Sequence, residues 1–128
     1  MKILIDTHAL LWLITDDEKL TEKSKACFIN AENKLYFSMA SFWEICIKVS
    51  IGKLTLSENW EETIKQELAF NSVKLLAIST DHCIQVAKLP FYHRDPFDRL
   101  IIAQAITEEL HVMSIDEHFS QYPISLIW

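Results

Sequence analysis

Five short runs rich in Ile, Leu, Val and aromatic residues punctuate the chain: "KILI" at 2–5, "KLYFSM" at 34–39, "VKLLAI" at 73–78, "HVMSI" at 111–115 and "ISLIW" at 124–128. The segments between them, at 8–14, 20–32, 41–51, 58–70, 80–88 and 97–109, have helical spacing. No other feature constrains the fold so much. Strands that alternate with helices return by right-handed crossovers, which gives a mostly parallel sheet covered on both faces. The expected fold is α/β, a three-layer α/β/α sandwich on a mostly parallel sheet of about five strands. No repeat, low-complexity tract or linker-like stretch divides residues 1–128, so a single domain is expected.

That topology has a direction, because each strand enters its helix at the carboxyl edge of the sheet, where open α/β sheets bind ligands. Acids gather there. Asp6 follows "KILI", Glu44 sits in "SFWEICIKV" after the second strand, Asp98 lies in the first turn of the last helix, and Asp116 follows "HVMSI". The turns at the other edge, "AENK" at 31–34 and "EEL" at 108–110, read as solvated loops.

Each acid also has a local explanation. Ser41-Phe-Trp-Glu44 has the S-x-x-E form of a capping box, which places Glu44 in a first helical turn. Asp95-Pro-Phe-Asp98 sets an N-cap acid before proline at the first helical position, and Asp6 and Asp116 are each suited to cap the segment that comes after them. Taken together, carboxylates sharing one cavity repel, and their pKa values rise unless a counter-charge is present. A hard divalent cation, Mg²⁺ or Mn²⁺ held by oxygen ligands and water, relieves this. Asp95, held extended by Pro96, is assigned mainly to helix initiation, and Asp98 to the ligand set. Arg94 and Arg99 flank them, with charge balance and a phosphate clamp both open.

Composition narrows the alternatives. With 128 residues, half of them hydrophobic, the chain can bury its own core without staples. Its single glycine, Gly52, excludes a P-loop or a dinucleotide-binding fingerprint. Cys27, Cys46 and Cys83 are odd in number and widely spaced, which suits buried small hydrophobes better than disulfides or zinc. The histidines, at 8, 82, 93, 111 and 118, show no metal-ligand spacing and read as surface or core residues. A net charge of −6 argues against a broad nucleic-acid footprint but leaves room for a local one. The longest apolar run, "ALLWLI" at 9–14, is too short to span a bilayer, and no cleavable leader is visible, so a cytoplasmic protein is expected.

In order along the chain, "ILIDTHALLW", "SFWEI", "HRDPFDRLIIAQA" and "VMSIDEHF" resemble the PIN domain, and more closely the VapC-type toxins of bacterial toxin–antitoxin pairs. The resemblance implies a Mg²⁺- or Mn²⁺-dependent endoribonuclease. Its acidic, metal-binding and catalytic positions fall on Asp6, Glu44, Asp98 and Asp116. Ser114 stands where the family often has threonine or serine, and is expected to donate a hydrogen bond in support of the acids, with Thr7 and Asp95 behind them. Ile115 departs from the polar or basic residue common there, which bears on substrate contacts. The implied chemistry is in-line attack of metal-activated water on an RNA phosphodiester, leaving a 5′-phosphate and a free 3′-hydroxyl.

Other readings are weaker or remain rivals. A haloacid-dehalogenase-like phosphatase needs a second aspartate two residues after the first, where this chain has His8, and a receiver domain needs an acidic pair that is missing. A metal-independent ribonuclease working through His8, His93 and His118 stays open, as does a binding module whose acids only cap helices. "ALLWLI", with Trp12, is apolar around most of a helix and is expected to be buried or part of an interface. The resemblance adds a homodimer and a cognate antitoxin whose tail covers the acidic cavity.

Overall fold

Ile3 and Ile5 contribute to one apolar cluster and Leu4 to another, and all three are fully buried. A strand that is apolar on both faces belongs in the interior of a covered sheet. That is where β1 (Lys2–Ile5) lies in the computed structural model, which describes residues 1–128. The chain continues through α1 (Thr7–Ile14), α2 (Glu22–Ile29), β2 (Lys34–Ser38), α3 (Met39–Ser50) and α4 (Trp60–Phe70). It then forms β3 (Val73–Leu76), α5 (Thr80–Lys88), α6 (Pro96–Glu108), β4 (His111–Met113), a 3-10 turn at Glu117–Gln121 and β5 (Leu126–Ile127).

The strands are ordered β3-β2-β1-β4-β5, and every neighbouring pair is parallel. Ile5 is in register with Phe37 of β2 and Met113 of β4, so Asp6, Ser38 and Ser114 leave the sheet side by side at its carboxyl edge. This is the expected PIN-like α/β arrangement. No helix is long and apolar enough to cross a membrane.

The sheet separates two cores. Ile3, Ile5, Leu35, Phe37 and Met113 pack with Leu10 of α1, Cys27 of α2, Ile45 of α3 and Ile64 and Leu68 of α4. Leu4 and Val112 pack on the opposite face with Leu89, Phe119 and Ile101, Ile102, Ala103 and Ala105 of α6. Ile101 through Ala105 are buried in an unbroken run, so α6 is enclosed on all sides and its N-terminus is anchored. Complete burial of a side chain such as Ile102 stabilises the fold by about 1.5–3 kcal/mol. Of the three cysteines only Cys27 is buried; Cys83 is exposed, contrary to the sequence expectation.

The caps divide. Asp95 caps α6 with Pro96 at the first helical position, as expected; its Oδ1 accepts from the N–H groups of Phe97 at 2.8 Å and Asp98 at 3.1 Å. Asp6 caps α1 through the Ala9 N–H at 2.8 Å, and Asp116 caps the 3-10 turn through the His118 N–H at 3.0 Å. The S-x-x-E reading at Ser41 is corrected. The chain passes directly from β2 into α3, and Ser38, the last strand residue, caps it by accepting from the Ala40 N–H at 3.0 Å. Ser41 is already helical, with its buried hydroxyl unpartnered, and Glu44 falls in the second turn with no capping task. The capping box of this fold is at Ser79 and His82 instead.

Candidate metal centre

Asp6, Glu44, Asp95, Asp98 and Asp116 line one cavity of about 120 Å³, together with Thr7, His8 and Lys48. Three structural levels bring them there. The parallel register places the ends of β1 and β4 together, α3 turns Glu44 back over the end of β1, and the Asp95 cap starts α6 so that Asp98 faces the same space.

Two of the acids are bound tightly from behind. Glu44 is buried, with Oε1 accepting from the Thr7 hydroxyl at 2.8 Å and Oε2 paired with Lys48 Nζ at 2.9 Å. The hydrogen bond to Glu44 raises the Lys48 ammonium above its ordinary range; burial opposes this, and the charges of Glu44, Asp95 and Asp98 reinforce it. Asp6 is buried and its carboxyl is pushed up by desolvation, offset by hydrogen bonds from Ser114 and the Ala9 N–H and by nearby His8. The Ser114 hydroxyl also accepts the Asp116 N–H at 3.0 Å, so it ties the first acid to the last.

Asp98 carries the strain of this crowding. Desolvation raises its carboxyl to about 7, with Asp95, Glu44 and Asp116 pushing in the same direction and His93 opposing them. Burial also works against ionisation of Asp116, but the His118 N–H, the His118 ring and His93 outweigh it and hold this carboxyl below its usual value. His93 Nε2 lies 3.1 Å from Asp98 Oδ2 and 3.3 Å from Asp116 Oδ2, and one ligand atom from each of these residues falls within 4.8 Å of the others.

The donor chemistry fits a hard divalent cation. The wall supplies carboxylate oxygens from separate elements, and one of them stays half-protonated near neutral pH without a positive partner. Each Glu44 oxygen has one partner and keeps a further lone pair, so even Glu44 can still bind a cation or one of its waters.

Neither arginine joins the cavity wall. Arg99 is buried, and its guanidinium donates to the carbonyls of Val86, Leu89, Pro90 and His93 at 2.9–3.3 Å while stacking on Phe91 at 4.1 Å. The phosphate-clamp reading of Arg99 is therefore corrected: the side chain is buried and both terminal nitrogens are committed to carbonyls of α5 and of the loop between α5 and α6, which it holds in place. Arg94 is exposed. Sequence reasoning missed Lys48, and it placed His93 only among the histidines of the metal-independent rival, not beside Asp98 and Asp116. Lys48 sits four residues after Glu44 on a helix, a spacing at which such pairs form, and so was findable. No spacing signal pointed to the contacts His93 makes with Asp98 and Asp116.

An all-parallel α/β sheet whose carboxyl edge gathers acids from both halves of the chain around one cavity defines the structural class. The sequence places it more narrowly: residues 3–124 match the PIN domain, and the chain belongs to that family. No curated protein sequence matches it. Among solved structures, a chain of VapBC2 from Rickettsia felis bound to a promoter DNA fragment superposes with a TM-score of 0.70 at 18% identity, covering 99% of this chain and 98% of that one. DNA-bound VapBC from Salmonella typhimurium gives 0.70 at 18% identity over 99% and 97%. FitAcB from Neisseria gonorrhoeae gives 0.65 at 18% identity over 98% and 96%. These likenesses are likenesses of fold.

Proposed function

We propose that the protein is a VapC-type toxin, a Mg²⁺- or Mn²⁺-dependent endoribonuclease. Membership of the PIN family and the fold shared with chains of toxin–antitoxin complexes support this. The observation that carries it is Asp98. Asp6, Asp95 and Asp116 cap helices, so capping alone accounts for them, but Asp98 and Glu44 satisfy no backbone N–H. Asp98 instead faces a cavity that already holds acids, where burial first and the neighbouring carboxylates second raise its carboxyl to about 7. A cation accounts for that arrangement.

Asp6, Asp98, Asp116 and Glu44 would hold the ion. Once bound, it supplies an acidified water at neutral pH and offsets charge on the phosphoryl oxygens. The chain's own groups do the rest. Lys48 and the Thr7 hydroxyl hold the two oxygens of Glu44 fixed in direction. Ser114 orients Asp6. Half-exposed Ile115 on the wall gives an apolar contact for a ribose or base, and Arg94 is free to meet a phosphate.

Partners come from the same reading: an RNA substrate, a cognate antitoxin and a second copy of the chain, in the cytoplasm. Leu11, Ile14, Leu56, Trp60 and Ile64 line an apolar cavity of about 370 Å³ between α1 and α4, a seat for an antitoxin helix. Only Ala9 and Leu10 of "ALLWLI" are buried, which leaves this part of α1 half-open. An antitoxin complex with undiminished ribonuclease activity would count against an antitoxin tail that covers the acidic cavity.

The first test is the melting temperature of wild type, Asp98→Asn and Glu44→Gln with and without Mn²⁺, followed by RNA cleavage with and without chelator. Mn²⁺ should raise the wild-type transition by mass action and leave the amides unmoved. Cleavage that survives chelation, with no thermal response to Mn²⁺, would favour the histidine mechanism instead. With neither response, the cation-site reading falls and a non-catalytic binding module is favoured.

A further inference from the structure

The His93 ring is held on nearly every side. Its backbone N–H donates to the Tyr122 hydroxyl at 3.0 Å, its carbonyl accepts from Arg99 Nη1 at 3.3 Å, and ring Nδ1 accepts the Asp95 N–H at 3.3 Å. Phe119 packs on the ring with centroids 5.7 Å apart. Tyr122 and Arg99 also bind the Pro90 carbonyl, at 2.6 and 2.9 Å, so the loop that carries His93 is clamped from two elements. All of this fixes one remaining atom, Nε2, against Asp98 and Asp116.

The bond at Nδ1 determines what Nε2 does. A neutral imidazole has one donor and one acceptor nitrogen, so a ring that accepts at Nδ1 carries its proton on Nε2. A protonated nitrogen has no lone pair for a cation but can donate to carboxylates. His93 is also absent from the cavity wall that Asp98 and Asp116 form, and stands behind both.

We propose that His93 is a positioning residue of the metal centre, with its Nε2–H forked between Asp98 and Asp116 so that these two carboxylates stay at the spacing one cation needs. The proposal rests on the reading of the cavity as a cation site. Asp98 comes from α6 and Asp116 from the segment after β4, and like charge drives them apart. The forked donor offsets that repulsion through Asp98 Oδ2 and leaves Asp98 Oδ1 free for a cation. His93 thereby accounts for the buried Arg99: the guanidinium shapes the loop that delivers the ring.

Two variants separate donor from ring. His93→Phe keeps an aromatic ring against Phe119 and removes the donor, whereas His93→Gln keeps an N–H donor and removes the ring. Mn²⁺ affinity by isothermal titration should fall about tenfold or more in His93→Phe, the range for lost outer hydrogen bonds to metal ligands. His93→Gln should bind nearly as well as wild type, even if its metal-free melting temperature is the lower of the two. Electron spin-echo modulation of Mn²⁺ bound to wild type should show no coordinated imidazole nitrogen. The reverse ranking, or equal affinity in all three proteins, overturns the proposal. A coordinated nitrogen present in wild type and lost in His93→Gln makes His93 a ligand and overturns it too. If wild type binds no Mn²⁺, the cation-site reading itself falls, an outcome distinct from wild-type binding that His93→Phe matches.

Discussion

Asp98→Asn should stabilise the metal-free protein, and increasingly so as pH rises. The Asp98 carboxyl titrates near 7 in the folded chain, against 3.8 for an unperturbed aspartate. Between these values the native state holds a proton that the unfolded state has released, so folding stability declines as pH rises and the loss is complete above about 7. At about 1.4 kcal/mol per pKa unit the full loss has a ceiling of roughly 4 kcal/mol. Asp98 is 27% exposed, so solvent screens part of this, and a charge in the first turn of α6 regains about 0.3–1 kcal/mol from the helix dipole. The stability difference between Asp98→Asn and wild type should therefore grow by about 1–2 kcal/mol from pH 5 to pH 8. Asp6, also raised, slopes the same way but is present in both proteins. Asp116, held low, is ionised before the window opens. Urea unfolding in chelator at the two pH values measures the difference. A gap that stays constant or narrows would refute the crowding argument. Saturating Mn²⁺ should reverse the order, because only wild type gains binding free energy.

Arg99→Lys should cost about 2–3 kcal/mol in urea unfolding, because an ammonium cannot satisfy the four carbonyls the guanidinium binds. Arg94→Ala, at an exposed site, should stay within about 0.5 kcal/mol of wild type while flattening the salt dependence of RNA binding. Asp95→Ala should cost about 1 kcal/mol through the two N–H groups it uncaps. It should also lower the Asp98 pKa in an NMR titration, since Asp95 is among the charges that raise it.

The sheet was legible in the sequence because a buried parallel strand must be apolar on both faces, and five short apolar runs separated by helical spacing leave little choice of architecture. The same periodicity puts the acids at the carboxyl edge. Local hydrogen bonding was less legible. Ser38 and Ser41 both precede Glu44 on plausible cap positions, and the choice between them depends on β2 running straight into α3, a tertiary constraint. Arg99 beside Asp98 looked like a surface ion because charge is the visible property of arginine, whereas its burial comes from how the loop at 89–95 folds back over α6. His93 was named only as a possible catalytic histidine, and its place behind the acids was hidden for a related reason. Its partners Asp116 and Tyr122 come from a segment brought near only by β4.

The central strand β1 comes from residues 2–5 and its neighbour β4 from residues 111–113: Ile3 lies beside His111, and the Asp6 N–H donates to the Met113 carbonyl. Asp6 and Asp116 therefore meet only after the roughly 110 residues that separate them have left the ribosome. A nascent chain that has emerged only as far as α6 can form helices and pair β1 with β2, but it lacks the strand that completes the acidic cavity. Any chemistry housed there is thus withheld during synthesis, a delay imposed by the order in which the strands are laid down.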